Sequence, residues 1–213
     1  ISVHYGESFI YGINRKNAEE GWYDMDRIEM REKLKERLTP KRYEHSLGVE
    51  YTAAAMAMCH NVDVEKAAIA GLLHDCAKNL STEEKLLRCE KYGLPISQYE
   101  RKNPELLHAK LGAAIAKDKF RIKDREILSA ITWHTTGCPN MSDLDKIIYI
   151  ADFIEPNRKM LPEMEEIRKE AFVDLDRCLI HILSNILEYL RMKGQTIDEI
   201  SEQTYRYYVQ EEQ

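Results

Sequence analysis

From Asp26 onward apolar residues recur at intervals of three and four, and the polar positions between them carry helix punctuation, so the pattern predicts helices throughout. Thr39-Pro40 reads as an N-cap followed by a first-turn proline and opens a helix over about Pro40 to Cys59. Asp63 caps the next, predicted to run to about Ala77, and Ser81 with Glu84 forms a capping box for a third. Asn103-Pro104 opens a fourth to about Lys117, a fifth runs from about Lys123 to His134, and Ser142 caps a sixth that Pro156 ends. A long amphipathic stretch from about Glu163 to Met192 and a last helix from Thr196 to Val209 complete the series. With no strand-rich region, repeat or low-complexity tract, the pattern predicts an all-α bundle. Residues 1–24 differ. They alternate weakly, as short strands or a loop would, and Met25 or Met30 is a more natural start for the domain, so they are read as an N-terminal extension with no function assigned.

One helical stretch breaks the amphipathic rule. Ala67 to Leu73 consists of Ala, Ile, Gly and Leu only, which leaves no solvent face, and it ends in His74-Asp75. An ionised carboxylate in such surroundings costs several kcal/mol or more unless a counter-charge or a metal accompanies it. Asp152 interrupts a second apolar run, Ile147-Ile-Tyr-Ile-Ala-Asp-Phe-Ile154, in the same way. Histidines join them on inward faces. His45 shares a face with Val49, Thr52 and Met56, His74 follows Ala67, Ala70 and Gly71, His108 precedes Leu111, Gly112 and Ile115, and His134 follows Ile127, Ala130 and Ile131. A lone core histidine is more often a hydrogen-bonded structural residue, whereas four with two buried carboxylates point to a cation. Imidazole nitrogens and carboxylate oxygens without sulfur suit iron, manganese or cobalt, with zinc less favoured for six-coordinate ions.

Composition narrows the setting. A chain of 213 residues, 44% hydrophobic and 32% charged, has enough apolar content for one compact domain with a real core. Its formal charge of −6, without long blocks of one sign, argues against a nucleic acid polymer or a membrane surface as partner and leaves room for a small anionic ligand. Five singly spaced cysteines with no C-x-x-C fit reduced thiols, and neither a membrane span nor a signal core is visible, so the cytoplasm is the expected compartment.

The ordered words Lys41-Arg-Tyr-Glu-His45-Ser-Leu-Gly-Val49, Leu73-His-Asp-Cys-Ala-Lys-Asn79, Leu106-Leu-His-Ala-Lys-Leu-Gly-Ala113, Ile131-Thr-Trp-His-Thr-Thr-Gly137 and Ala151-Asp-Phe-Ile-Glu-Pro-Asn-Arg158 carry a family resemblance. The order His45, His74-Asp75, His108, His134, Asp152 resembles the metal signature of HD-domain phosphohydrolases, all-α proteins named for their His-Asp pair. The neighbouring words resemble more narrowly the bacterial YqeK family of symmetrical bis(5'-nucleosyl)-tetraphosphatases. The likeness runs from about Met30 to the C-terminus, so residues 25–213 are read as one HD-domain helical bundle with phosphohydrolase activity.

The resemblance implies two divalent transition-metal ions, iron foremost, with manganese or cobalt as alternatives. His45, His74, Asp75 and Asp152 would surround one, and Asp75, His108 and His134 the other, with Asp75 bridging. Two cations about 3.5–4 Å apart acidify a water and clamp phosphoryl oxygens for in-line attack, so no Ser or Cys nucleophile is required. Lys78, three residues past Asp75, is expected to neutralise charge on the transferred phosphoryl group or the leaving diphosphate. Thr135, Thr136 and Gly137 can hold phosphate oxygens or form an ordinary turn. Arg158 can fork onto a distal phosphate, while Glu155 and Asn157 can orient it or cap the turn. The implied substrate is diadenosine tetraphosphate or a related dinucleoside polyphosphate, cut to two nucleoside diphosphates, and Tyr43, Trp133, Tyr149 and Phe153 are candidates to stack a base.

Other residues read more plainly. His60 is expected to be solvated, His181 to pack within its helix, and Cys76 to fill space as a small apolar group. The long C-terminal helices can offer an apolar stripe to a twin subunit, giving a homodimer. Two rival functions share the fold: a phosphodiesterase or nucleotidase acting on another nucleotide through the same metals, and a non-catalytic nucleotide sensor or interaction module. Degenerate domains of the second kind usually lose ligands, whereas this sequence retains all six together with Lys78.

Overall fold

A computed structural model describes residues 24–211, so the N-terminal extension, apart from Asp24, lies outside the described residues. Among those described, the chain forms α-helices and no β-strand. They are α1 (Arg27–Lys35), α2 (Pro40–Cys59), α3 (Val64–Leu73), α4 (Thr82–Lys91), α5 (Gln98–Lys102), α6 (Leu107–Lys119), α7 (Arg125–Trp133), α8 (Asp143–Ile154), α9 (Met164–Glu170), α10 (Leu175–Met192) and α11 (Glu199–Glu211). No helix is long and apolar enough to cross a membrane.

Local chemistry explains most starts. The side chains of Asp26, Thr39, Asp63 and Asp124 accept backbone N–H groups of the first turns they precede. Full capping boxes open α4 at Ser81/Glu84 and α8 at Ser142/Asp145, and a third, Ser97/Glu100, opens the short α5.

The apolar run of α3 lies at the centre of the bundle, with residues 67–73 all buried and the helix packed against α2, α7 and α8. Gly71 permits a close approach to α2, because a Cβ there would sit 3.0 Å from the Val49 carbonyl oxygen and 3.1 Å from the Glu50 Cα. α6 packs in turn on α7, which joins it to the group of helices around α3.

Several elements differ from the pattern-based expectation. Helix α3 stops at Leu73 and not near Ala77, because the chain tightens into successive i to i+3 turns: Cys76 N–H donates to Leu73 O at 3.0 Å and Lys78 N–H to Asp75 O at 2.9 Å. The Glu163–Met192 stretch is two helices, since Asp174 turns its carboxylate onto the N–H groups of Asp176 and Arg177 and starts α10 afresh. Pro104–Leu106 forms a 3-10 turn ahead of α6. His60 is half-buried with Nε2 2.9 Å from the Ala171 carbonyl oxygen, so it is not simply solvated. His181 is held between Glu170 and Glu163 at 2.8 and 3.2 Å and is an ion-pair residue more than a packing one. Cys76 is buried as expected, its S–H donating to Gly112 O at 3.3 Å, and burial pushes its thiol pKa up to about 12.

Candidate metal centre

His45 projects from the first half of α2, His74 and Asp75 from the turn that ends α3, and His108 from the first turn of α6. His134 caps the C-terminus of α7, and Asp152 lies near the C-terminus of α8. The structure brings all six together. Nε2 of His45 lies 2.9 Å from Asp152 Oδ1 and 3.3 Å from His74 Nε2, and His74 Nε2 lies 3.6 Å from the same Asp152 oxygen. On the other side, Nε2 of His108 and His134 are 3.1 Å apart. Asp75 stands between the two groups. Its Oδ2 faces His74 and His45 at 3.5 and 3.8 Å, and its Oδ1 faces His108 and His134 at 3.2 and 3.6 Å.

Each ring is oriented by its second nitrogen. His74 Nδ1 lies 2.7 Å from Gly71 O and His134 Nδ1 2.7 Å from Ile131 O, while His108 Nδ1 contacts Glu105 O; in each case the partner is the carbonyl three residues earlier. His45 Nδ1 instead lies 3.0 Å from Glu155 Oε1. A carbonyl or carboxylate accepts only from an N–H, so these partners put a proton on Nδ1 and leave Nε2 of each ring facing inward. Inward-facing nitrogen and oxygen acceptors, gathered as His45–His74–Asp152 and His74–Asp75–His134 with the donor atoms of each set within 4.8 Å of one another, have the chemistry of a divalent cation site.

Burial and neighbouring charge act against each other across the cluster. Burial favours neutral forms, but neighbouring charges reverse this for three groups. Asp75 lifts His74 to a pKa of about 10, while His74 and the other rings hold Asp75, and His45 and His74 hold Asp152, well below the usual carboxylate range. For His134 burial prevails and its pKa falls, with the charge of His74 acting in the same direction.

Among the other residues predicted from sequence, Lys78 and Thr135 reach the cluster: Lys78 Nζ and Thr135 Oγ1 lie 3.3 and 3.2 Å from His108 Nε2. Burial lowers the Lys78 pKa despite Asp75 nearby. Arg158 folds back onto Asp152, pairing with its carboxylate and donating through Nε to its carbonyl at 2.7 Å. Thr136 and Gly137 face elsewhere. Thr136 O–H donates to Gly137 O, and Gly137, at φ +65, lies so close to α11 that a Cβ would come within 2.8 Å of Thr204 Cγ2. Of the candidate aromatics, Tyr149 and Phe153 line a cavity of about 360 Å³ beside Asp152, Thr135 and Arg158. Trp133 lines a separate one, and Tyr43 packs against the core.

Three residues were not anticipated in these positions. Arg42, one turn before His45 on α2, donates from Nη1 to Asp75 Oδ2 at 2.7 Å. Glu155, read as a partner of Arg158 or a turn cap, is 1% exposed and supports His45. Its Oε2 accepts the Asn157 N–H at 2.7 Å. Gly48, one turn after His45, makes room for it, since a Cβ there would collide with the Glu155 carboxylate. Glu155 had a sequence signal, because it closes the apolar run containing Asp152 just as Asp75 closes that of α3. Arg42 and Gly48 had only their spacing from His45.

Comparison with known proteins identifies the family. The HD domain model matches residues 42–157. The chain is 38% identical over 185 residues to the symmetrical bis(5'-nucleosyl)-tetraphosphatase of Bacillus subtilis, covering 87% of this chain and 98% of that protein. It is 40% identical over 175 residues to the protein of the same name from Halalkalibacterium halodurans, covering 81% and 91%. A crystal structure from Clostridium acetobutylicum, described as a "predicted HD superfamily hydrolase involved in NAD metabolism", superposes with a TM-score of 0.85 at 40% identity, covering 88% of this chain and all of that one. Fold and relatives agree: the chain belongs to the HD-domain family and, within it, to the group of symmetrical bis(5'-nucleosyl)-tetraphosphatases.

Proposed function

We propose that the protein is a metal-dependent phosphohydrolase that cuts diadenosine tetraphosphate and related dinucleoside polyphosphates at the centre, releasing two nucleoside diphosphates. The observation that carries this reading is the position of Asp75, whose two oxygens face separate pairs of imidazoles. That division suits two cations sharing one carboxylate, His45, His74 and Asp152 completing one ligand set and His108 and His134 the other. The nitrogen and oxygen donors suit iron, manganese or cobalt, and the family resemblance puts iron foremost.

Bound cations would supply an acidified water and positive charge for phosphoryl oxygens. In the overall reaction water oxygen bonds to one central phosphorus, the P–O bond to the bridging oxygen breaks, and the electron pair leaves with the second diphosphate. The protein's own groups hold the geometry. The Nδ1 partners fix the four rings, and Glu155 does so for His45 through a carboxylate, the stronger form of that support. Lys78 and Thr135 stand together on the His108 side and offer an ammonium and a hydroxyl to the phosphoryl oxygens or the departing diphosphate. Arg158 lines the cavity beside Asp152, within reach of a phosphate farther along the chain. Thr136 and Gly137, turned toward α11, are left out of this assignment. The free cysteines support a reduced, cytoplasmic setting.

Metal analysis of protein purified without chelator, coupled to product analysis, tests the proposal. Two metals per chain and ADP as sole nucleotide product are expected. AMP plus ATP would overturn the symmetrical cleavage, and less than one metal per chain with no ADP would overturn the mechanism.

A further inference from the structure

The cavity beside Asp152 does not end at its own walls. Phe153, Leu161 and Ile186 also line a second groove of about 600 Å³, which runs between the 161–163 loop and α10 to Tyr189 and Met192. Chemistry changes along the path. On the cluster side it carries Thr135 and the cations Arg158 and Lys159, with Arg158 paired to Asp152. After Phe153, Leu161 and Ile186 it becomes mainly apolar, and three of the side chains lining it keep large exposed surfaces: Leu161 46%, Tyr189 54% and Met192 73%. Scattered exposed apolar residues need no explanation, but a contiguous apolar groove joined to a polar cleft does.

We propose that this groove is the binding site for a nucleoside of the substrate, with its base against Tyr189 and Leu161 and its 5'-phosphate chain running past Lys159 and Arg158 to the metal centre. The inference rests on the proposed polyphosphate hydrolase reading. A ligand anionic at one end and flat and apolar at the other matches the cations of the cavity and the mainly apolar groove beside it. The ring of Tyr189 is 54% exposed with Lys193 Nζ 5.7 Å from its centroid, and such a ring can take a base by stacking. The direction is also what symmetrical cleavage demands. When the central bond lies at the metals, each nucleoside must sit some two phosphates away, beyond the cations and not among the ligands.

Equilibrium binding of ADP and of inorganic pyrophosphate to the metal-loaded protein, wild type against Tyr189→Ala and Leu161→Ser, separates the nucleoside from its phosphates. Both positions are well exposed, and an unchanged melting temperature verifies the fold. ADP affinity is expected to fall about tenfold in Tyr189→Ala, within the range for loss of one stacking platform, while pyrophosphate affinity stays unchanged. ADP affinity unchanged in both variants would overturn the inference, as would an equal loss for pyrophosphate. A wild-type dimer that Tyr189→Ala dissociates would also overturn it, by giving the groove to a second copy. Failure of the catalytic reading shows separately, as absence of ADP from digests of diadenosine tetraphosphate, with the binding comparison still readable.

Discussion

Glu50 and Asp75 are both buried carboxylates in the helical core, 0% and 3% exposed, yet they are satisfied in opposite ways. Glu50 on α2 receives a two-pronged fork from Arg31 on α1, Nε at 2.9 Å and Nη2 at 2.7 Å, and Arg27 adds a contact at 3.3 Å. Charge and hydrogen-bond geometry close on themselves, and the result pins α1 to the bundle. Asp75 has one arginine, Arg42, and otherwise faces imidazole nitrogens whose outer N–H groups are already engaged. With Nδ1 engaged outside, each Nε2 is turned toward the carboxylates, an arrangement in which a cation can take the place of a proton. A buried charge alone therefore does not mark a functional site; what marks it is the kind of partner the fold supplies.

Exchanging the two carboxylates for neutral groups tests that distinction most sharply. Asp75→Asn is expected to lower the rate of ADP release roughly 10³-fold, the scale for losing a group that organises transition-state charge. Metal content should fall with it, as read by elemental analysis, while the melting curve remains cooperative. Glu50→Ala should behave in reverse. Denaturant unfolding is expected to show a loss of about 2–3 kcal/mol, less than for a fully enclosed pair because the partner arginines keep some hydration. Metal stoichiometry should stay as in the wild type. Were Glu50→Ala to shed metal as Asp75→Asn does, the contrast drawn between them would be wrong.

Glu155 gives a smaller and more selective effect. Its carboxylate reaches the site only through His45, so Glu155→Ala should weaken metal binding about 10- to 100-fold in a chelator competition without abolishing it. Glu155→Gln should recover part of the loss by keeping an acceptor for Nδ1–H. Gly48→Ala, which crowds the same carboxylate, should move affinity in the same direction. Equal metal affinity in wild type and Glu155→Ala would remove Glu155 from any positioning role.

Much of this was legible in the linear pattern. Local hydrogen bonding sets most helix starts, so Thr39, Asp63, Ser81 and Ser142 announced them. The interrupted apolar runs announced Asp75 and Asp152, because a charge amid residues with no solvent face must have a partner. Asp174 was passed over since the apolar periodicity continues across it, and only its capping bonds reveal the break. Glu155, Gly48 and Arg42 were obscured for a different reason. Each acts on a residue of another element, as Glu155 does across 110 positions to His45, and local periodicity carries no information about such distances.

By itself the sequence determined the helical class, the central apolar α3 and the identity of the six metal-ligand candidates, since these follow from local hydrogen bonding and from the cost of burying charge. Only the tertiary structure decided that Asp75 turns one oxygen to each imidazole pair, that Glu155 rather than a backbone carbonyl holds His45, and that Arg158 pairs with Asp152 while Thr136 and Gly137 turn to α11. The direction of a side chain at a helix end depends on which other helices pack against that end, and packing is a property of the assembled bundle.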